Sequence, residues 1–164
     1  MLKRLFTKVA ELLLPEKYGN NQTPPEDPTR ALISIYYRLV QLASQIETHS
    51  EAAPYPQVRQ RLQAIAEEKR ESAQQLKNAV ESRLVSVQQA AVSPVSGKNH
   101  WERVRHDLAD QRAFEDFLAL CEPRLSAEYP EIAHFLLKVR ANQAAHRETL
   151  AELMAVADPQ ATQT

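Results

Sequence analysis

The sequence is poor in glycine, with only two among its 164 residues, Gly19 and Gly97. Phosphate-binding loops and many β-turns need glycine, because other residues adopt their positive-φ backbone only with strain. The scarcity argues against a nucleotide-binding loop and against a fold of many strands joined by tight turns. A chain rich in Ala, Leu, Glu and Gln favours long helices joined by few turns.

Cysteine, long apolar runs and an excess of one charge are scarce as well. Cys121 is the single cysteine, so no internal disulfide can form, which fits a reducing compartment. The 20 basic and 21 acidic residues leave a net charge of −1, and no basic face for nucleic acid is expected. No apolar run approaches the roughly 18 residues of a membrane span. Lys8 and Glu11 interrupt the stretch that a secretory signal would need. We therefore expect a cytoplasmic protein that binds no nucleic acid.

Proline and capping residues divide the chain. Asp27 before Pro28 predicts a helix start, and Asn99 with Glu102 resembles a capping box. Pro123 and Pro130 predict a break between two helices. Four helices are predicted, over residues 28–52, 56–88, 99–122 and 130–156. They would form one domain over residues 28–157, followed by a polar tail over residues 158–164.

Apolar residues recur at helical spacing along these segments, which predicts an antiparallel four-helix bundle. Tyr55-Pro56 is repeated by Tyr129-Pro130, an offset of 74 residues (129 minus 55). At this offset the stripes of the second and fourth helices agree, and Ile46 on the first helix meets Leu120 on the third. The chain is therefore predicted to be two similar helical hairpins. The link between them could run the length of the bundle or make a simple turn, and chain length allows both.

Residues 1–14 predict a short amphipathic helix, joined to the bundle by a polar linker over residues 15–27. A basic amphipathic helix can lie on an anionic membrane, dock into a partner, fold back onto its own bundle or mediate dimerisation. Peripheral membrane contact therefore stays open beside the cytoplasmic assignment. The apolar face comprises Leu2, Leu5, Phe6, Val9, Leu12 and Leu13.

The two long hairpins, the repeat and His146 on the fourth apolar stripe together resemble the ferritin-like superfamily, and within it the rubrerythrin-like branch. The resemblance covers residues 28–156 and implies a ferritin-like bundle. In such proteins the first and third helices each supply a carboxylate, and the second and fourth each supply Glu-x-x-His to a pair of metal ions.

This sequence departs from that pattern at most ligand positions. The second helix offers Lys69 and Ser72 where the family has Glu and His, and Gln143 stands three residues before His146. We interpret this as a degenerate metal site, in which the Lys69 ammonium replaces the metal and forms a buried ion pair with Asp110 on the third helix. A buried charge needs such a partner. The predicted polar layer comprises Tyr36, Lys69, Ser72, Asp110, Gln143 and His146.

Three functions are compatible with these residues. The leading one is a non-catalytic interaction or scaffold bundle without cofactor. Its partner would be a protein or a second copy, bound through an apolar side face that includes Leu42, Phe135 and Leu137. The second is a di-iron or di-manganese oxidoreductase or storage protein, which would use the shifted ligand set Glu68, Glu71, Asp110 and His146. The third is a small-molecule binding bundle with a pocket beside Tyr36 and His146.

The remaining reactive side chains carry weaker signals. The other four histidines have no ligand spacing, and most are expected at the surface. Cys121 lies among apolar neighbours and is expected to be a small core residue. The other histidines are His49, His100, His106 and His134.

Overall fold

The computed structural model describes residues 23–81 and 97–157. These residues form four α-helices: α1 (Pro28–Glu51), α2 (Pro56–Glu81), α3 (His100–Glu128) and α4 (Pro130–Ala157). Within the two described stretches there is no β-strand, so the predicted all-helical class is confirmed for them. The predicted N-terminal helix, most of its linker, the last predicted residues of the second helix and the polar tail lie outside the described residues.

The helix starts follow the capping chemistry expected from the sequence. The Asp27 carboxylate accepts a hydrogen bond from the Arg30 backbone N–H at 3.1 Å. Asn99 Oδ1 accepts one from the Glu102 backbone N–H at 2.9 Å, and the Glu102 carboxylate accepts from the Lys98 backbone N–H. These bonds occupy donors that no carbonyl inside the helix can reach.

The predicted break at Pro123 is wrong, because α3 continues through this residue to Glu128. A proline inside a helix leaves the carbonyl four residues earlier without its usual donor. Pro123 and Ala119 are both exposed, so water can solvate that carbonyl. Cys121 and Leu125 are buried on the opposite side and hold the helix against the core.

The helices pack in pairs, and they bury two separate apolar clusters. Helix α1 packs along α2 and α3 along α4, with further contacts between α1 and α3 and between α2 and α4. The first apolar cluster takes residues from the N-terminal parts of α1 and α4 and the C-terminal parts of α2 and α3. It includes Leu32, Leu39, Leu76, Val80, Phe114, Leu125, Ile132 and Leu136. The second apolar cluster takes residues from the opposite parts and includes Ile46, Val58, Leu62, Val104, Leu150 and Leu153.

The internal repeat is visible in the buried positions of α2 and α4. Both helices begin at the proline of a Tyr-Pro pair. At the offset of 74 residues, six of the nine buried positions on α2 have a buried counterpart on α4. The pairs are Val58 with Ile132, Leu62 with Leu136, Ile65 with Val139, Lys69 with Gln143, Ser72 with His146 and Leu76 with Leu150.

For α1 and α3 the repeat is shifted by one residue from the prediction. Ile46 is fully buried whereas Leu120 is 61% exposed, so their predicted correspondence is wrong. An offset of 75 residues (121 minus 46) pairs Ile46 with Cys121 and Leu39 with Phe114, and all four are buried. The shift arises at the hairpin joint, where a single residue, Tyr129, separates α3 from α4.

Among the helices that the structure describes, none combines the length and the apolar character required to cross a lipid bilayer.

We expect Pro123→Ala to raise the free energy of unfolding by about 1–3 kcal/mol. Alanine restores the missing N–H donor and removes the ring clash, and the gain is reduced because proline also restricts the unfolded chain. Urea unfolding followed by circular dichroism measures the change. A lower stability would mean that a local bend at Pro123 is needed for packing.

Candidate functional site: a buried polar layer

A layer of polar side chains, most of them buried, lies where the two apolar clusters meet. The layer consists of two hydrogen-bonded groups, and each group joins a different set of helices. The lysine group joins α2, α3 and α4 through Glu68, Lys69, Gln111, Glu115, Gln143 and His146. The aspartate group joins α1 and α3 through Gln45, His49, Asp107 and Asp110.

Lys69 is the centre of the lysine group, and its side chain is fully buried. Its Nζ donates to Gln111 Oε1 at 2.6 Å and to Gln143 Oε1. It also lies 5.8 Å from the centre of the Phe114 ring, within the range of a cation–π contact. The ammonium therefore exchanges its water shell for two amide oxygens and an aromatic face.

The two glutamine amides are held so that their oxygens face the ammonium. Gln111 Nε2 donates to the backbone carbonyl of Gln143 at 3.0 Å. Gln143 Nε2 donates to the Val139 carbonyl one turn earlier at 3.3 Å. Because the NH₂ ends have partners of their own, the oxygens remain free to accept from Lys69.

Burial lowers the pKa of Lys69 from 10.5 to about 7, although Glu115, Asp107 and Glu68 oppose the shift through their charges. Desolvation is the larger effect because the ammonium has no access to water. The interior of the bundle thus holds an amine that exchanges its proton near neutral pH.

His146 lies beside Lys69 and is only 4% exposed. Burial and the Lys69 charge lower its pKa to about 4, against the opposing effect of Glu68. The ring is therefore neutral at pH 7, and its Nε2–H donates to Glu68 Oε2 at 2.8 Å. The other ring nitrogen, Nδ1, is buried and accepts no hydrogen bond from the described residues.

The aspartate group is built around Asp107, which is fully buried. His49 Nδ1 lies 2.8 Å from Asp107 Oδ1 and 2.9 Å from Oδ2. Gln45 Nε2 donates to Asp107 Oδ1 at 2.9 Å and to Asp110 Oδ2 at 3.0 Å. Two side chains of α1 thereby satisfy a carboxylate that α3 carries into the core.

The structure separates the residues predicted for the polar layer. Lys69, Ser72, Gln143 and His146 are buried at this level, but Asp110 is exposed. The predicted ion pair between Lys69 and Asp110 is therefore wrong. Asp110 lies at the exposed edge of the contact between α1 and α3, where it accepts from Gln45, whereas Asp107, one turn earlier, lies on the stripe that faces the core.

Tyr36 is buried, but it belongs to the first apolar cluster. Burial and, secondarily, the charge of Glu81 raise its pKa. Tyr36 therefore packs among apolar side chains, and the prediction that it belongs to the polar layer is wrong.

Sequence reasoning missed five members of the two groups: Gln45, His49, Asp107, Gln111 and Glu115. The expectation of a surface position is wrong for His49, which is 2% exposed. Helical spacing contained the signal, because His49 follows Ile46 by three residues and extends the α1 stripe. Asp107 and Gln111 likewise alternate with buried apolar residues of α3. Counting by the family's spacing, instead of following the stripe, led to Asp110.

The shifted ligand set predicted for a metal pair is brought together only in part. Glu68 and His146 are in contact, whereas Glu71 and Asp110 are exposed and Asp110 contacts Gln45 on α1. The described stretches contain no cluster of three or more His, Cys, Asp or Glu side chains arranged to hold a metal ion. Cys121 is buried, and burial raises its pKa to about 11, so its thiol is protonated and unreactive at neutral pH.

Comparison of the chain with protein-family models, with curated proteins and with solved structures finds no match in any of the three.

We expect Asp107→Asn to lower the free energy of unfolding by about 2–4 kcal/mol. The variant removes a buried charge that accepts from both His49 and Gln45. The new Asn NH₂ group would face the donor groups of these two side chains. Asp110→Asn is the matched control, and its exposed position limits the loss to about 1 kcal/mol. Equal losses in the two variants, measured by urea unfolding, would contradict the assignment of Asp107 as the buried carboxylate.

Lys69 should make stability rise with pH between about 7 and 9. Its pKa is about 7 in the folded chain and 10.5 in the unfolded chain, so above pH 7 the unfolded state binds more protons. Above pH 9 Cys121 acts in the opposite direction, because its thiol ionises near 9.0 when unfolded and near 11 when folded. Urea unfolding at pH 7, 8 and 9 measures the slope. Lys69→Met should remove the rise in stability with pH, whereas the exposed-site control Lys138→Met should keep it. A rise that survives Lys69→Met would contradict its assignment to Lys69.

Proposed function

We propose that this chain is a non-catalytic helical bundle of ferritin-like topology, in which a lysine ammonium takes the place of metal ions, and that it serves as an interaction or scaffold protein. The observation that carries the proposal is the fully buried Lys69 ammonium between the amide oxygens of Gln111 and Gln143.

The composition of the two apolar clusters supports the topology. The C-terminal parts of α2 and α3 contribute to the same cluster, as do the N-terminal parts of α1 and α4. This distribution favours a path in which α2 and α3 run in the same direction. Glu81 and His100, the helix ends on either side of the connection, would then lie at opposite ends of the bundle, as in ferritin-like proteins. Eighteen residues (99 minus 81) span up to about 60 Å when extended, more than the roughly 39 Å of α2.

The charges around Lys69 support an interior without metal. In a di-metal bundle, buried carboxylates are neutralised by the ions. Here Glu68, Asp107 and Glu115 face one ammonium, which supplies the compensating positive charge. A divalent ion at this level would be repelled by Lys69 over a short distance in a medium of low polarity.

Neighbouring bonds reduce the number of ligand groups that remain for a metal. Asp107 is hydrogen-bonded to His49 and Gln45, and Glu115 is paired with Arg147 at 2.9 Å. The contact between Glu68 and His146 is the one feature that favours the di-metal alternative. The small-molecule alternative is weakened because Tyr36 packs in the first apolar cluster, whereas His146 belongs to the lysine group.

The surface gives limited support to an interaction role. Leu120 and Leu137 are 61% and 52% exposed, but single exposed leucines are common on protein surfaces and do not by themselves mark a binding site. Leu42, predicted to share an outer face with Phe135 and Leu137, is buried at 5% exposure, so that prediction is wrong for Leu42. Phe135 is partly buried against the first apolar cluster.

Metal analysis of the purified full chain tests the proposal. We expect no stoichiometric iron or manganese, an unchanged melting temperature after treatment with a chelator, and ferrous iron oxidation no faster than in buffer. About two ions per chain, lost together with stability on chelation, would overturn the proposal and assign Glu68 and His146 to a metal site.

A further inference from the structure

The two helical hairpins of this chain, α1–α2 and α3–α4, are similar enough that each could in principle pair with a copy of itself. Helices α2 and α4 share buried positions at an offset of 74 residues, and helices α1 and α3 share them at an offset of 75 (114 minus 39). Pairing of like hairpins from two chains would bury similar apolar stripes. We therefore looked for a feature of the sequence that favours the mixed pair, in which α1–α2 packs against α3–α4 of the same chain.

The repeat brings one pair of equivalent residues into direct contact. Lys69 Nζ donates to Gln143 Oε1, and the two positions are 74 residues apart. In an arrangement with approximate two-fold symmetry, a residue meets its own equivalent only near the axis. The contact between Lys69 and Gln143 therefore marks the point about which the two hairpins pair.

At this point the two hairpins differ in charge. If two α1–α2 hairpins paired, Lys69 would meet a second Lys69, and two ammonium groups would share a buried site. At the offset of 75, Gln111 corresponds to Tyr36, so the acceptor amide of α3 would be replaced by a phenol. Two of the three supporting carboxylates, Asp107 and Glu115, belong to α3 and would be absent from that pair.

In the mixed pair, each hairpin supplies the buried polar groups that the other hairpin requires. Hairpin α1–α2 brings a cation, and hairpin α3–α4 brings the amide acceptors and carboxylates that a buried cation requires. If two α1–α2 hairpins paired, two lysine cations would be buried together. If two α3–α4 hairpins paired, their carboxylates would have no buried cation beside them. A charge that penalises the wrong pairing in this way provides specificity even where it adds little stability.

We propose that Lys69 decides which hairpins pair: it favours association of α1–α2 with α3–α4 of the same chain and disfavours exchange of hairpins between copies of the chain. Lys69 acts here as a specificity determinant, and the partner that it excludes is a second copy of this protein.

Refolding of two distinguishable forms of the full chain tests the proposal. Tagged and untagged chains are either unfolded and refolded together or folded separately and then mixed, and the untagged chain recovered with the tag is measured. Lys69→Gln makes the two axis positions identical, so we expect it to raise recovery after joint refolding several-fold over the natural sequence. Mixing after folding should give no such rise, because exchange of hairpins requires unfolding.

Lys138→Gln is the matched control, since it removes the same charge from an exposed position of α4. It should behave as the natural sequence does. Equal recovery for Lys69→Gln and Lys138→Gln after joint refolding would overturn the proposal.

A charge exchange gives a second readout that does not depend on oligomers. Gln143→Lys places two ammonium groups at the axis and should lower the melting temperature strongly. Adding Lys69→Gln returns one lysine and one glutamine to the axis, and we expect it to recover a large part of the loss. A double variant no more stable than Gln143→Lys alone would show that the two positions are not equivalent, and the proposal would fail.

Discussion

The Lys69 ammonium imposes the main constraint on the interior of this protein. A full positive charge without access to water is tolerated only when its donors are matched and carboxylates lie close by. Gln111 and Gln143 provide the oxygens, and each amide is itself fixed by a backbone carbonyl. Helices α2, α3 and α4 must therefore keep one relative position along their axes, because a shift by one turn would leave the ammonium among apolar side chains.

The apolar clusters and the polar layer divide the task of stabilising the bundle. The clusters on either side supply most of the favourable free energy through burial of aliphatic and aromatic side chains. The polar layer adds directional bonds between specific helices. The lysine group binds α2 to α3 and α4, and the aspartate group binds α1 to α3 through His49 and Gln45. All four helices are thereby joined by polar contacts, which a uniformly apolar core would not provide.

The lowered pKa values of Lys69 and His146 have a common physical cause. Burial disfavours the charged forms of Lys69 and His146, and the charge of Lys69 further disfavours a charge on His146. The histidine responds by staying neutral, and the lysine is supported by surrounding carboxylates. Burying these groups lowers the free energy of unfolding, and in our proposal it selects a unique packing of two similar hairpins.

The sequence by itself determined the local structure and most of the buried stripes. Capping at Asp27 and Asn99, the starts at Pro56 and Pro130, and the helical spacing of apolar residues depend on neighbours along the chain, and the structure has them as predicted. Tertiary packing decided the rest. Helix α3 passes through Pro123 because Cys121 and Leu125 on either side of it are buried in the core, and the one-residue joint at Tyr129 shifts the repeat by one residue. Lys69 finds amide oxygens on two other helices, and Asp107, not Asp110, enters the core. Sequence spacing within one helix carries no information on how that helix is rotated and shifted against its neighbours, so only the assembled bundle could select these partners.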